Sequence, residues 1–148
     1  MVDEILKVLV NLKNNLNSLL ETLSAKQRAL ISLNYEELEK SIISEEKSLT
    51  AIRECELART NAFDKFYSEK SVERLSYKVS DLCEKFPGIS NSNLIKLRNL
   101  EAQIKETIGN IDHINHQNLY IIEHSRTFIK ETISSLISAN KSFLDRRV

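Results

Sequence analysis

The sequence predicts an all-α protein, an elongated antiparallel helical bundle or coiled coil of three to four helices whose last helix is long. The first observation is compositional: 148 residues include two Gly and one Pro, where average usage would give about ten and about seven. Sheet folds and glycine-loop nucleotide folds need those residues in their turns, so both classes are excluded. The second observation is an apolar stripe that recurs in steps of three and four residues, which is typical of packed helices. One helical domain is therefore expected over residues 1–148.

Helix 1 is predicted over residues 2–33 and has the most regular stripe of the chain, interrupted only where Lys26 replaces an apolar residue. Spacing near 3.5 residues, held over about four heptads, keeps one narrow seam on one helix face. Asn34 follows, and Glu37 stands three residues further on, which is the pattern of an N-terminal capping box. The pattern indicates that one helix ends and the next begins here.

Helix 2 is predicted over residues 36–68, with a more polar seam because Glu45, Glu56 and Arg59 occupy stripe positions. The stripe resumes over 71–86 as helix 3, one residue out of phase. Such a slip either overwinds a continuous helix or breaks it, so helix 3 is either separate from helix 2 or one rod with it. Pro87, which is followed by Gly88, ends this helix because proline cannot continue the helical hydrogen bonding.

Helix 4 is predicted over residues 92–145, after three residues that can each cap it. At 1.5 Å per residue it is roughly 80 Å long, against roughly 76 Å for an unbroken 36–86 segment and roughly 48 Å for helix 1. Helix 1 would then cover only part of the long hairpin. An apolar stripe left uncovered is a binding site or an oligomer interface. A cluster near the end of helix 4 is either this open surface or ordinary core: Phe128, Ile129, Ile133, Leu136 and Ile137.

Charge and hydropathy exclude two classes of partner. Lys and Arg number 21 and Asp and Glu number 21, so no net basic charge favours binding to nucleic acid, which needs a basic face. No apolar run approaches the roughly 18 to 20 residues that span a bilayer, and the first four residues lack the basic start of a signal peptide. We therefore expect a cytoplasmic protein without membrane insertion, in which Cys55 and Cys83 are buried thiols rather than a disulfide.

The residues that carry chemistry form no recognisable catalytic or metal site. His113, His116 and His124 lie close together along the chain, but bundle metal sites use Glu-x-x-His pairs, and the sequence contains none. It also lacks a glycine-rich nucleophile turn and a suggestive Cys–His spacing. We expect no enzyme activity, no metal and no cofactor.

Several segments together resemble the FlgN family of flagellar export chaperones. They are residues 26–38 (KQRALISLNYEEL), 45–49 (EEKSL) and 56–59 (ELAR), and the last-helix stretch from Ile111 through Asn118 to Phe128 and beyond. The resemblance spans nearly the whole chain. It implies a cytoplasmic chaperone that holds hook-filament junction proteins and hands them to the flagellar type III export gate.

The resemblance also implies site residues in the last helix. The segment from Asn115 to Phe143 would carry the substrate, and an aromatic residue, Tyr120 or Phe128, would dock on the export gate. Asn115 and Asn118 would set register, although both also suit an ordinary polar position in a helical seam. The contact area would come from Ile122, Phe128, Ile129, Ile133, Leu136 and Ile137. The alternative is a self-assembling structural coiled coil or adaptor whose open stripe pairs with another copy.

Overall fold

The computed structural model describes residues 2–73 and 76–147, with side chains up to residue 141. Its regular structure consists of four helices, α1 (Val2–Ser32), α2 (Tyr35–Glu69), α3 (Val79–Lys85) and α4 (Asn91–Arg147). Within the described ranges no strand occurs. The predicted all-α bundle with a long last helix is confirmed. No helix in the described part of the chain is long and apolar enough to cross a bilayer.

Helices α1 and α2 form an antiparallel hairpin. Near its turn, the Lys26 ammonium lies 2.9 Å from the Glu45 carboxylate, and at its far end Lys65 lies 3.1 Å from Glu4. Lys26 interrupts the seam of the first helix, and Glu45 is one of the charged residues that interrupt the seam of the second. They face each other, so each supplies the partner that a polar group inside a packed interface needs.

Helix α4 lies against α1 and runs parallel to it. The Thr107 hydroxyl donates to Asn17 Oδ1 at 3.1 Å, and Asn118 Nδ2 donates to the Leu23 carbonyl at 3.1 Å. In these two contacts the residue numbers increase in the same direction along α1 and α4, so the two helices are parallel. The three long helices therefore run up, down and up. Over the described residues, α1 packs against both α2 and α4, whereas the backbones of α2 and α4 stay more than 8 Å apart.

The core follows the α1 seam and is richest at the open end of the hairpin. Burial of Phe63, Phe66 and Tyr67 at the end of α2 anchors it, and the Phe66 ring packs edge-on against Phe86 at a centroid distance of 5.0 Å. Six regularly spaced α1 residues are buried along the seam, as their spacing predicts. Cys55 and Cys83 are buried and free, as expected. The buried α1 seam residues are Ile5, Leu9, Leu12, Leu16, Leu19 and Leu23.

The start of helix α2 also follows the sequence pattern. The Asn34 side chain accepts a hydrogen bond from the Glu37 amide at 3.2 Å, which satisfies one of the donors that a helix N-terminus leaves free. The last helix is capped in the same way, because the Ser90 hydroxyl accepts from the Asn93 amide at 3.3 Å.

The prediction for helix 3 was wrong in its extent, and of its two alternatives the structure shows the break between α2 and α3. Helix α2 ends at Glu69, and α3 begins at Val79 rather than at residue 71. Ser71 adopts a left-handed conformation with φ 54°, and the Val72 amide donates back to the Tyr67 carbonyl at 3.1 Å. This Schellman motif stops the helix.

The break shortens the helical segment that precedes α4 in the chain. Helix α2 has 35 residues and α1 has 31, whereas α4 has 57. The expected length match between α4 and the segment before it is therefore not observed. Helix α1 ends and α2 begins at the turn formed by Leu33 and Asn34, and within the described part of the chain α4 continues alone past that turn.

Candidate partner-binding surface

The α4 tail, defined here as residues 123–141, is a single helix without a neighbour among the described residues of the chain. Asn118 is the last fully buried residue among the described side chains of α4, Ile121 and Ile122 are half-buried, and every side chain from 123 to 141 is exposed. At 1.5 Å per residue the tail is roughly 28 Å long.

The tail carries large apolar side chains that are all more than half exposed. Exposed contiguous apolar surface of this kind marks an interaction site. The surplus of apolar surface predicted for the end of the last helix is therefore present. Its members are Phe128, Ile129, Ile133, Leu136 and Ile137.

Polar contacts to α1 fix the point at which the tail begins. Asn118 bonds to the Leu23 carbonyl, and one turn nearer the end of α1 the Gln27 amide donates to Gln117 Oε1 at 3.0 Å. Each contact requires one axial position of α4 against α1, because a slip by one residue separates both pairs. The bundle thus determines how much of α4 projects.

Asn118, one of the residues predicted to bind the substrate protein (the guest), does not lie on the open surface. Asn118 is 1% exposed and lies against α1, so it belongs to the contact between α1 and α4 and not to the open surface. Asn115, three residues earlier, is exposed. Ile122 is half-buried at the boundary between the bundle and the tail.

The two aromatic candidates for docking on the export gate are both exposed. Tyr120 is 68% exposed and Phe128 is 66% exposed. The Tyr120 ring stacks on His124, with centroids 5.8 Å apart and planes 10° apart. Tyr120 also lines a shallow groove with Gln27 and Ile31 at the end of α1.

The three histidines of α4 have separate neighbours and do not converge. His113 pairs with Gln117 at 3.1 Å, His116 Nδ1 lies 2.8 Å from the Asp112 carbonyl, and His124 stacks on Tyr120. Across the described side chains, no three His, Cys, Asp or Glu residues come close enough together to hold a metal ion.

Comparison with known families identifies the chain. The sequence model of the FlgN protein family matches residues 1–144. The chain belongs to the FlgN family. The match reaches from α1 into the last residues of α4 and confirms the resemblance found in the sequence. FlgN proteins are flagellar export chaperones, so the general role of this chain is that of a chaperone in flagellum assembly. No curated protein and no solved structure matches the chain.

Sequence reasoning missed a second apolar surface of this FlgN-family chain, at the tip of the α1–α2 hairpin. We call Ile31, Leu33 and Tyr35 the hairpin tip; they are 68%, 66% and 75% exposed. Leu33 and Tyr35 both follow the three- and four-residue spacing of the apolar stripes in helices 1 and 2, which predicts that they are covered. The capping box at Asn34 was the available signal, because a chain that reverses there turns the neighbouring side chains outward.

Proposed function

We propose that this chain is a cytoplasmic chaperone of flagellar type III export that binds helical ends of hook-filament junction proteins and hands them to the export gate. The observation that supports this proposal is the α4 tail, where no element in the described ranges covers the apolar stripe. Membership of the FlgN family supports the same conclusion. The role is one of binding, without catalysis or a cofactor.

The tail suits an amphipathic helix as its guest. A helix that lays its apolar face along an exposed stripe buries side chains at i, i+3, i+4 and i+7 positions. Complete burial of a large apolar side chain contributes about 1.5 to 3 kcal/mol. Five half-covered side chains then supply on the order of 5 to 9 kcal/mol before the cost of association. That range favours a reversible complex, which a chaperone that releases its guest requires.

Rotational position favours Tyr120 over Phe128 for docking on the export gate. Tyr120 precedes Ile129 by nine residues, which places the two side chains about 180° apart around the helix. A guest lying on the stripe therefore leaves Tyr120 accessible. Phe128 lies on the edge of the stripe, where the same guest would cover it.

Calorimetric titration with the C-terminal segment of a hook-filament junction protein tests the proposal. We expect binding by the full chain and its loss in Leu136→Asp, which places a charge within the stripe. Ser138→Asp is the matched control, because Ser138 is exposed and lies on the opposite side of the tail. Equal binding by Leu136→Asp and Ser138→Asp would remove the tail as the guest site.

Self-assembly is the second candidate function, because the same exposed stripe can pair with a second copy of this chain. Sedimentation of the full chain distinguishes the two functions. A monomer at micromolar concentration excludes a structural coiled coil. A dimer that persists in the presence of excess guest segment would favour self-assembly over chaperoning.

A further inference from the structure

We propose that a single guest helix runs from the α4 tail into a groove between α2 and α4 and ends against α3. We call this space the front groove. It is bounded by Ile42 and Leu49 of α2 and by Ile108 and Leu119 of α4. The inference rests on the proposed chaperone function, and it defines how far the guest site extends and how long the bound segment is.

Helices α2 and α4 leave a gap on one side of α1, because their backbones stay more than 8 Å apart over the described residues. On the other side, the back of the bundle, Val10 of α1 lines one shallow depression with Ala58 of α2 and another with Asn99 of α4. Leu49 precedes Ala58 by nine residues, which places the two side chains about 180° apart around the helix. The same spacing separates Ile108 from Asn99. Leu49 and Ile108 therefore lie on the front of the bundle.

The four apolar side chains of the front groove form two pairs at matching heights. Across α1 and α2, the numbers of residues in polar contact have a nearly constant sum, and across α1 and α4 they differ by 90 to 95. Ile42 and Leu119 are therefore level with each other, and so are Leu49 and Ile108, nearer to α3. All four side chains are between 36% and 52% exposed. Both walls thus present apolar surface to the gap.

The lower half of the gap already holds a helix of this chain. Phe63 follows Leu49 by fourteen residues, on nearly the same face of α2, and it is fully buried. The Tyr77 ring packs edge-on against Phe63 at a centroid distance of 6.3 Å, and α3, which follows, lies against α4. The open upper half continues the same two walls. It therefore suits a second helix in line with α3.

The front groove opens directly onto the stripe of the α4 tail. One column of α4 at seven-residue spacing runs through both: Ile108, Asn115, Ile122, Ile129 and Leu136. A column with this spacing is the line that a coiled-coil partner follows along a helix. A guest helix that covers Ile129 and Leu136 is therefore led along the same column to Ile108, between the walls of the groove. This continuity assigns the groove to the same guest as the tail.

The extended site sets the length of the guest segment. Ile108 precedes Leu136 by 28 residues, which is roughly 42 Å of helix. The tail alone is roughly 28 Å long. The bound segment is therefore one helix of about 28 residues or more, longer than the tail by itself can hold.

The α2 rim of the groove is acidic near the turn of the hairpin. Glu39 and Glu46 lie three residues before and four residues after Ile42, and both are exposed. No ion pair engages either carboxylate within the described part of the chain. Arg53, one heptad after Glu46, places a positive charge on the same rim nearer to α3. The guest helix accordingly carries Lys or Arg on the edge that faces Ile42.

Calorimetric titration tests the groove with a C-terminal segment of a hook-filament junction protein that is long enough to fill the whole site. Ile42→Asp should weaken binding by about tenfold or more, because the charge would be covered by the guest. Ile43→Asp is the matched control, since Ile43 is 50% exposed and lies on the outer face of α2. Glu46→Lys should also weaken binding, whereas Glu54→Lys, on the back of α2, should not. Circular dichroism checks that each variant keeps its helices.

Site-specific photo-crosslinking identifies the occupant of the groove. With p-benzoylphenylalanine at position 49 or 136 of the full chain, each position should capture the same guest segment. Mass spectrometry should place the two crosslinks roughly 20 to 30 residues apart in the guest, as one continuous helix requires. The same group at position 43 should capture little guest.

Three results would overturn the inference while leaving the proposed function in place. They are equal affinities of Ile42→Asp and Ile43→Asp, crosslinks from positions 49 and 136 to one short stretch of the guest, and capture at position 49 of a second copy of this chain instead of the guest. A full chain that binds no guest at all would overturn the proposed function itself.

Discussion

The two halves of α4 carry the same kind of apolar pattern in different surroundings. Between Leu97 and Asn118 the stripe faces the bundle and includes fully buried residues, whereas from Phe128 to Ile137 it is exposed. The boundary coincides with the turn at Leu33 and Asn34, where α1 and α2 meet. Helix length, and not composition, therefore separates structural from open apolar surface in this chain.

This difference teaches how a small helical protein can provide a binding surface without a cavity. A stripe that continues beyond its neighbours stays open because nothing in the described chain reaches it. The tail that carries it belongs to helix α4, whose first half the bundle holds in place. The surface is thus arranged before a guest arrives, which lowers the ordering cost of binding.

A charge placed in the buried α1 seam and a charge placed in the exposed stripe of the tail should differ most in their effect on stability. Leu16 is buried in the α1 seam, so Leu16→Asp should lower the free energy of unfolding by about 4 kcal/mol or more. Leu136 is exposed on the tail, so Leu136→Asp should change the free energy of unfolding by less than about 0.5 kcal/mol. Urea denaturation followed by circular dichroism measures both. A large loss of stability in Leu136→Asp would show that the tail is covered in solution.

The two asparagines sharpen the comparison at the boundary. Asn118 Oδ1 is buried without a hydrogen-bond partner among the described residues, so Asn118→Leu should raise the free energy of unfolding by about 1 kcal/mol. Asn115 is exposed, so Asn115→Leu should change the free energy of unfolding by less than about 0.5 kcal/mol. The measurement is again urea denaturation. If Asn118→Leu is less stable than the parent chain, its bond to the Leu23 carbonyl outweighs the cost of the unpaired oxygen.

Alkaline pH should lower the free energy of unfolding of the bundle, because the bundle contains a buried tyrosine hydroxyl and a buried cysteine thiol that the tail lacks. Burial raises the pKa of the Tyr67 hydroxyl, and the nearby charge of Asp81 adds to the shift. Burial also raises the pKa of the Cys55 thiol and outweighs the opposing hydrogen bond from Asn15. In the unfolded chain these groups lose their protons near their ordinary pKa values of about 10 and about 8.5.

The unfolded state therefore binds fewer protons than the folded state above those values, so the free energy of unfolding falls as pH rises towards the raised pKa values. Below about pH 8 this contribution is intact. Urea midpoints at pH 7.5 and 10.5 should show a smaller decrease for Tyr67→Phe than for the parent chain. Leu136→Asp, which alters only the tail, should show the same decrease as the parent. Equal decreases in Tyr67→Phe and the parent would show that Tyr67 does not contribute.

The sequence predicted the features that depend on local spacing. The α1 seam, the cap at Asn34 and the long last helix all follow from residues close together in the chain, and each is observed. The open stripe around Ile133 was also indicated, since a helix longer than its neighbours leaves apolar positions uncovered.

Features that depend on which helix faces which were not predictable from spacing alone. Periodicity assigned Asn118 to an apolar face but did not show that α1 covers that face. The contact between Lys26 and Glu45 depends on the register of the hairpin, which neither stripe specifies. The end of α2 lies one residue beyond its predicted position, but the start of α3 was placed eight residues too early, because the apolar stripe does not show that Ser71 adopts a left-handed conformation.

The parallel course of α1 and α4 has a practical consequence for labelling this protein. Both helices start at the same end of the molecule, and α4 extends roughly 86 Å from there. A fluorophore or affinity tag attached at the start of α1 therefore lies far from the exposed stripe of the α4 tail. The same group attached at the end of α4 would lie roughly 15 Å beyond Ile137, the last residue of that stripe.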